Sequence, residues 1–305
     1  MITRRLFSTA TWIDLESPTQ EELYKIAEEL SIDPHIIDDI EEPTPNPVAM
    51  TFDNAAYLVL HFPTSLADTG AKNQEIDFIV GKNFLITVRY EAIPCIYQIH
   101  EAFEKEESEV KQSRKISGAD DLLERIIRRV YRGMHDEIDQ QAIALDNIER
   151  NIFAHKERAM VREISSVASI FLRFEKVIAR HEESLEAFLA DLMSPAFFGP
   201  EFKRRAQNIQ SERDHAEAAA SNYRDVASDL RTTNDSLLQA SQNEATRRFS
   251  MLAFFTFPLS LIAAIFTMDT HKPLVDAPYA FWVIIGMMVI VTLCLLLWFK
   301  KKKWL

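Results

Sequence analysis

Apolar and polar positions fall into three patterns along the chain. Over residues 1–93, short apolar runs alternate with helical spacings. Thr11-Trp12-Ile13-Asp14-Leu15 predicts a short strand, and Ala55-Ala56-Tyr57-Leu58-Val59-Leu60-His61-Phe62 predicts another. Ile76–Val80 and Phe84–Arg89, separated by Gly81-Lys82-Asn83, predict a β-hairpin. Ser17-Pro18-Thr19 opens a helix. Thr19 is an N-cap residue type, Glu22 three positions later completes a capping box, and Leu23, Ile26, Ala27 and Leu30 make the apolar face. Ile32-Asp33-Pro34 starts a second short helix that stops before Pro43. This segment reads as mixed α/β.

After Pro94 the period is helical and stays so. A charged helix from Pro94 is broken by Ser117-Gly118, and residues 119–153 and 159–193 predict a long helical pair. The next break is Ser194 to Pro200, with Pro200 suited to the first position of a new helix. From Glu201 to Phe257 there is no Gly or Pro in 57 residues. One helix can therefore run from Pro200 to Met268, roughly 100 Å. Its apolar stripe (Phe202, Ala206, Ile209, Ala216, Tyr223, Val226, Leu230, Leu237) is thin, so it needs partners. Toward its end it turns polar but mostly uncharged: Asn234, Ser236, Gln239, Ser241, Gln242, Asn243, Thr246. A solvated face would carry Lys and Glu. Amides and hydroxyls suit a water-filled lumen lined by several copies of one helix, with ordinary interhelical hydrogen bonding as the alternative.

The third pattern is apolar without period. Met251–Met268 holds no formal charge in 18 residues and Tyr279–Phe299 none in 21. At 1.5 Å per residue these reach roughly 27 and 31 Å, enough to cross the hydrocarbon of a bilayer. The first carries Thr256, Pro258, Ser260, Ala263 and Ala264, which suit close packing or a wet surface unless the hydroxyls bond back to their own helix. Lys300-Lys301-Lys302-Lys303 follows the second span and marks the cytoplasmic side. Two spans then place both termini and residues 1–250 in the cytoplasm. Trp298, Trp304 and Tyr279 are interfacial anchors. The start, Met-Ile-Thr-Arg-Arg-Leu-Phe-Ser, has no apolar run behind its basic residues, so no signal peptide is expected.

Charge sharpens this division. The chain of 305 residues carries net −12, but residues 251–305 hold five lysines and two aspartates, which leaves −15 on residues 1–250. That sign excludes a general nucleic-acid binder. Six Gly in the whole chain argue against a loop-rich enzyme, and two cysteines, Cys95 and Cys294, exclude a disulfide framework or a Cys-rich zinc module. No Gly-rich phosphate loop, nucleophile elbow or zinc-hydrolase motif occurs, so no enzyme activity and no cofactor are expected. His181-Glu182-Glu183 and His135-Asp136-Glu137 resemble ligand clusters. Adjacent helical residues point about 100° apart, so such runs are expected to be solvated faces.

Together these pieces resemble the CorA family of divalent-cation channels, also called the two-span GxN family. The resemblance covers the whole chain. It is carried by Pro258-Leu259-Ser260-Leu261-Ile262-Ala263-Ala264-Ile265-Phe266, by the ending Phe299-Lys300-Lys301-Lys302-Lys303-Trp304-Leu305, by Asp77–Val88 and by Asn243-Glu244. It implies an α+β membrane protein of the cell inner membrane. The cytoplasmic α/β domain would be residues 1–93, and 94–250 the helical region with its stalk from about 200. The membrane domain, 251–305, would hold a pore-lining span 251–268, an outer loop 269–278 and a second span 279–299. It implies a homopentameric funnel in contact with membrane lipids, passing Mg²⁺, Co²⁺, Ni²⁺ or Zn²⁺ as cargo. The family's first span ends in Gly-Met-Asn; here the position reads Thr267-Met268-Asp269. Threonine lacks the backbone freedom of glycine, and aspartate replaces a neutral amide by a charge. Position by position, the pore wall would be Asn243, Thr246, Phe249, Phe257, Ser260 and Ala264, with Thr267, Met268 and Asp269 at the outer mouth. Asp269 would meet the metal ion, and His271 is a second candidate ligand. Arg247 and Arg248 would face lipid headgroups. Two alternatives stay open: a zinc or other transition-metal transporter of the same fold, and a non-conducting sensor or partner-binding scaffold.

Overall fold

The computed structural model describes residues 1–7, 9–41, 44–63, 73–91, 93–108, 116–267 and 280–301. It divides into two compact units, Met1–Thr232 and Thr233–Leu305.

The first unit is built on a six-stranded sheet. Its strands are β1 (Ile2–Leu6), β2 (Thr11–Glu16), β3 (Val48–Thr51), β4 (Ala56–Phe62), β5 (Gln74–Val80) and β6 (Phe84–Arg89), in the order β1-β2-β6-β5-β4-β3. Only β2 and β6 pair in parallel; the other neighbours are antiparallel. The predicted hairpin is β5–β6, in which the Gly81 amide closes the turn on the Phe84 carbonyl at 3.0 Å. A Cβ at Gly81 would collide with the Phe84 ring, which would have to turn aside to admit it. The short edge strands β1 and β3 were not foreseen. Ile2, Leu6 and Met50 are exposed, so neither strand shows a buried alternation.

One sheet face packs Ile13, Tyr57, Val59, Ile79 and Ile86 against α1 (Gln20–Leu30) and α2 (Pro34–Glu41). The capping box forms as predicted: the Glu22 amide donates to the Thr19 hydroxyl, and Glu22 accepts from the Thr19 amide. The opposite face carries a buried polar network under α3 (Pro94–Ser108). There the Trp12 indole donates to Thr87, Thr87 donates to Asp14 at 2.6 Å, and Arg89 and His100 also reach Asp14, at 3.1 and 3.0 Å. His100 stacks on Trp12 with centroids 4.1 Å apart, which fixes α3 over β2.

The predicted helix over 119–153 is α4 (Ala119–Phe153). Residues 159–193 do not form one helix. They lie in α5 (Glu157–Ala179) and α6 (His181–Leu192), separated at Arg180. His181 opens α6 at this division. It is fully buried, donates from Nε2 to the His61 carbonyl of β4 at 2.7 Å, and accepts from the Tyr131 hydroxyl of α4 at 2.9 Å. The expectation that 181–183 is a solvated run is therefore wrong for His181. His135 does lie at the surface, 3.5 Å from Asp139.

After a 3-10 turn at Pro200–Phe202, with Gly199 at φ 72, α7 runs unbroken from Lys203 to Thr267. Within the first unit its buried positions are Ala206, Ile209, Arg213, Ala216, Ala220 and Ala227, in steps of three and four with a last step of seven. Val226, expected in this stripe, is 45 % exposed, because Ala227 holds the buried place one residue on.

The second unit contains the end of α7 and α8 (Ala280–Lys301). Both are long and apolar enough to cross a membrane. Phe299 is buried against Phe254 and Phe255 of α7, with ring centroids 6.0 and 5.5 Å away.

Candidate functional site

At 100° per residue, Asn243, Thr246, Phe249, Phe257, Ser260 and Ala264 fall within an arc of about 120° on α7. All six are exposed in the single chain, Phe249 and Phe257 to 73 % each. Phe255, which meets α8, lies about half a turn away from the centre of that arc. The stripe is therefore the face that α8 leaves uncovered. From Gln239 to Ala264 it carries amides, hydroxyls, alanines and two phenylalanines, with Leu261 at its edge and no formal charge.

Charges near this stretch sit elsewhere on the helix. Glu244 pairs with Arg248 one turn on, and both point away from the arc, as does the position of Arg247. Thr256 spends its hydroxyl on the Leu252 carbonyl at 2.8 Å, so this side chain bonds back to its own helix. Pro258 lies inside α7. Its missing N–H leaves the Phe254 carbonyl without its helical donor.

Thr267 is the last helical residue of α7 and continues the same arc by position. Met268, Asp269 and His271, with the loop 269–278, Tyr279 and Trp304, lie outside the described residues. Among the described residues no three His, Cys, Asp or Glu side chains converge as a metal-binding group.

A second polar assembly, in the first unit, was not anticipated. Arg205 of α7 meets Asp120, Asp121 and Glu124 of α4, each at 2.8 Å. Asn208 donates its amide to Glu124 at 2.7 Å. Glu212 is shared by Arg128 and Arg132 at 2.8 and 2.6 Å. Burial pulls Glu124 up, but hydrogen bonds from Asn208 and Arg205 outweigh it and hold the carboxyl below its ordinary value. Glu212 is held low in the same way, burial being overcome by Arg132 and Arg128. The partners are some 80 positions apart, so only i,i+4 pairs within α4 were open to reading from spacing.

A family model described as CorA-like Mg²⁺ transporter protein matches residues 7–301. The chain belongs to the CorA family. Among its relatives, the cobalt/magnesium transport protein CorA of Thermotoga maritima is 21 % identical, over 98 % of this chain and 84 % of that one. The cobalt/magnesium transport protein CorA of Methanocaldococcus jannaschii is 20 % identical, over 96 % and 91 %. A solved structure, the complete CorA magnesium transporter from Methanocaldococcus jannaschii, superposes with a TM-score of 0.80 at 18 % identity and covers 97 % of this chain and 92 % of that one. This CorA chain thus shares an N-terminal α/β region, a long helix and two C-terminal candidate spans with that fold.

Proposed function

We propose that the chain assembles as a homopentamer and passes divalent cations passively across the inner membrane. Residues 1–93 and 94–250 would be cytoplasmic, and 251–305 would be the membrane domain, with both termini inside. The observation that carries this reading is the uncovered, uncharged stripe on α7, polar at Asn243 and Thr246 and apolar at Phe249 and Phe257. Five such stripes facing an axis make a wet vestibule followed by hydrophobic constrictions. No energy source beyond the membrane is needed: 100 mV offers a divalent ion about 4.6 kcal/mol.

The mouth would be Thr267-Met268-Asp269. At ~7 Å in water each carboxylate attracts a divalent ion by about 1.2 kcal/mol. Five Asp269 side chains capture by charge, where the family's asparagines hold a hydrated ion. Magnesium is the cargo implied by the family. Loss of the glycine and the amide loosens that preference toward Co²⁺, Ni²⁺ or Zn²⁺, and His271 would favour the last.

Flux of Mg²⁺, Co²⁺ and Zn²⁺ into liposomes tests this. Asp269→Ala should cut every flux at least about fivefold and flatten its salt dependence. Asp269→Asn alone should leave selectivity loose, and Thr267→Gly with Asp269→Asn should sharpen it for Mg²⁺. Unchanged fluxes in Asp269→Ala would mean the ion does not pass this residue. No flux in the parent would leave the scaffold reading.

A further inference from the structure

Facing the apolar wall of α3 at Ile99 and Phe103, α4 presents Arg125, Arg128, Arg129 and Arg132 around a cavity of about 170 Å³. The four arginines recur at three-four spacing on one face of α4, in the part of the chain that carries net −15. Arg128 and Arg132 are held in place from behind by Glu212, and Arg125 by Asp121. Asp120, Asp121, Glu124 and Glu212 serve four guanidinium groups, Arg125, Arg128, Arg132 and Arg205, so with Arg129 the cluster holds one more base than acid. Arg129 has no ion pair among the described residues. Arg132 uses Nε and Nη2 on Glu212, which leaves Nη1 unspent.

We propose that this cavity binds the phosphate group of a soluble anion. Three features point to phosphate. The volume suits one or two tetrahedral anions. At least two guanidinium groups keep donors for fork-like contacts, which match phosphate oxygens. The buried Ile99 and Phe103 side chains lower the local dielectric, which strengthens such contacts. Glu212 lies on α7, so an anion in the cavity shares Arg128 and Arg132 with the carboxylate that ties α4 to the long helix. Occupancy is thereby linked to the α4–α7 contact.

The test is calorimetric titration of the full-length, detergent-purified protein with pyrophosphate, in divalent-free buffer with chelator and chloride at matched ionic strength. Saturable binding is expected. Arg129→Gln, which breaks no ion pair, should weaken it about tenfold. Ala102→Phe, which fills the cavity without changing charge, should abolish it. Glu212→Gln, which releases Arg128 and Arg132, should tighten it several-fold. No saturable heat up to about 10 mM overturns the proposal, as does binding unchanged in both Arg129→Gln and Ala102→Phe. Repeating the titration in nanodiscs of phosphatidylcholine and of phosphatidylglycerol separates the sources. Equal affinity in both supports a soluble anion; loss only in phosphatidylglycerol assigns the cavity to a lipid headgroup and overturns it.

Discussion

His181 shows how one side chain ties layers of the first unit together. Its Nε2 must carry the proton, because the His61 carbonyl can only accept, so Nδ1 is left to accept from Tyr131. Burial pushes its pKa down to about 4. A base whose folded pKa lies below its unfolded value of 6.5 contributes its full stability above 6.5 and loses it as pH falls toward 4. The total is about 3 kcal/mol. Asp77 titrates in the opposite sense, since burial and the Glu75 charge hold its carboxyl well above the usual range. The difference between two proteins is therefore the readout. His181→Phe should cost about 2–3 kcal/mol at pH 7.5, by stranding the Tyr131 hydroxyl and the His61 carbonyl. The gap in Tm between parent and variant, measured in detergent, should narrow as pH falls to 5. A gap that stays constant with pH would show that His181 is not held neutral. This role was hidden in the sequence, because its partners lie 50 and 120 positions away. The Thr19–Glu22 capping box was legible because its partners lie three apart.

At the scale of elements, α7 is joined to α4 by charge more than by apolar contact. Alanine recurs along its buried stripe, and the Arg205 cluster sits at its start. Arg205→Ala would leave Asp120, Asp121 and Glu124 in a part-buried site with only Arg125 and Arg128 opposite. It should destabilise the protein by about 2–4 kcal/mol, and Glu124→Gln on that background should recover part of the loss. Thermal melts of the two single variants and the double check this; additive losses would mean the groups do not interact. Helix bounds were readable where a breaker residue stands, as at Gly118 before α4 and Pro200 before α7. The α5–α6 division has no Gly or Pro to announce it, and the edge strands β1 and β3 lack the apolar runs that revealed β4 to β6. The α7 stripe was readable because a helix fixes which residues share a face. The mouth beyond Thr267 was read only from a resemblance.

For the whole molecule, assembly and charge are one problem. A helix whose exposed face carries Phe249, Leu252, Phe257 and Leu261 needs lipid or neighbours, and its polar stripe needs neighbours or water. Five copies would bring together five bodies of net −15 each. Their repulsion favours spreading, and bound cations relieve it. A divalent ion does so better than a monovalent one at equal ionic strength, because each carries twice the charge to the same carboxylates. The closed, symmetric assembly should therefore be stabilised when internal divalent ion is plentiful and loosened when it is scarce, which makes cargo level a brake on transport. Mass measurement of the detergent-purified protein should give five chains. Its Tm should rise with millimolar Mg²⁺ by more than with KCl of matched ionic strength, and fall again with chelator. Equal rises in the two salts would reduce the effect to general screening, and a monomer or dimer by mass would remove the lumen on which the transport reading depends.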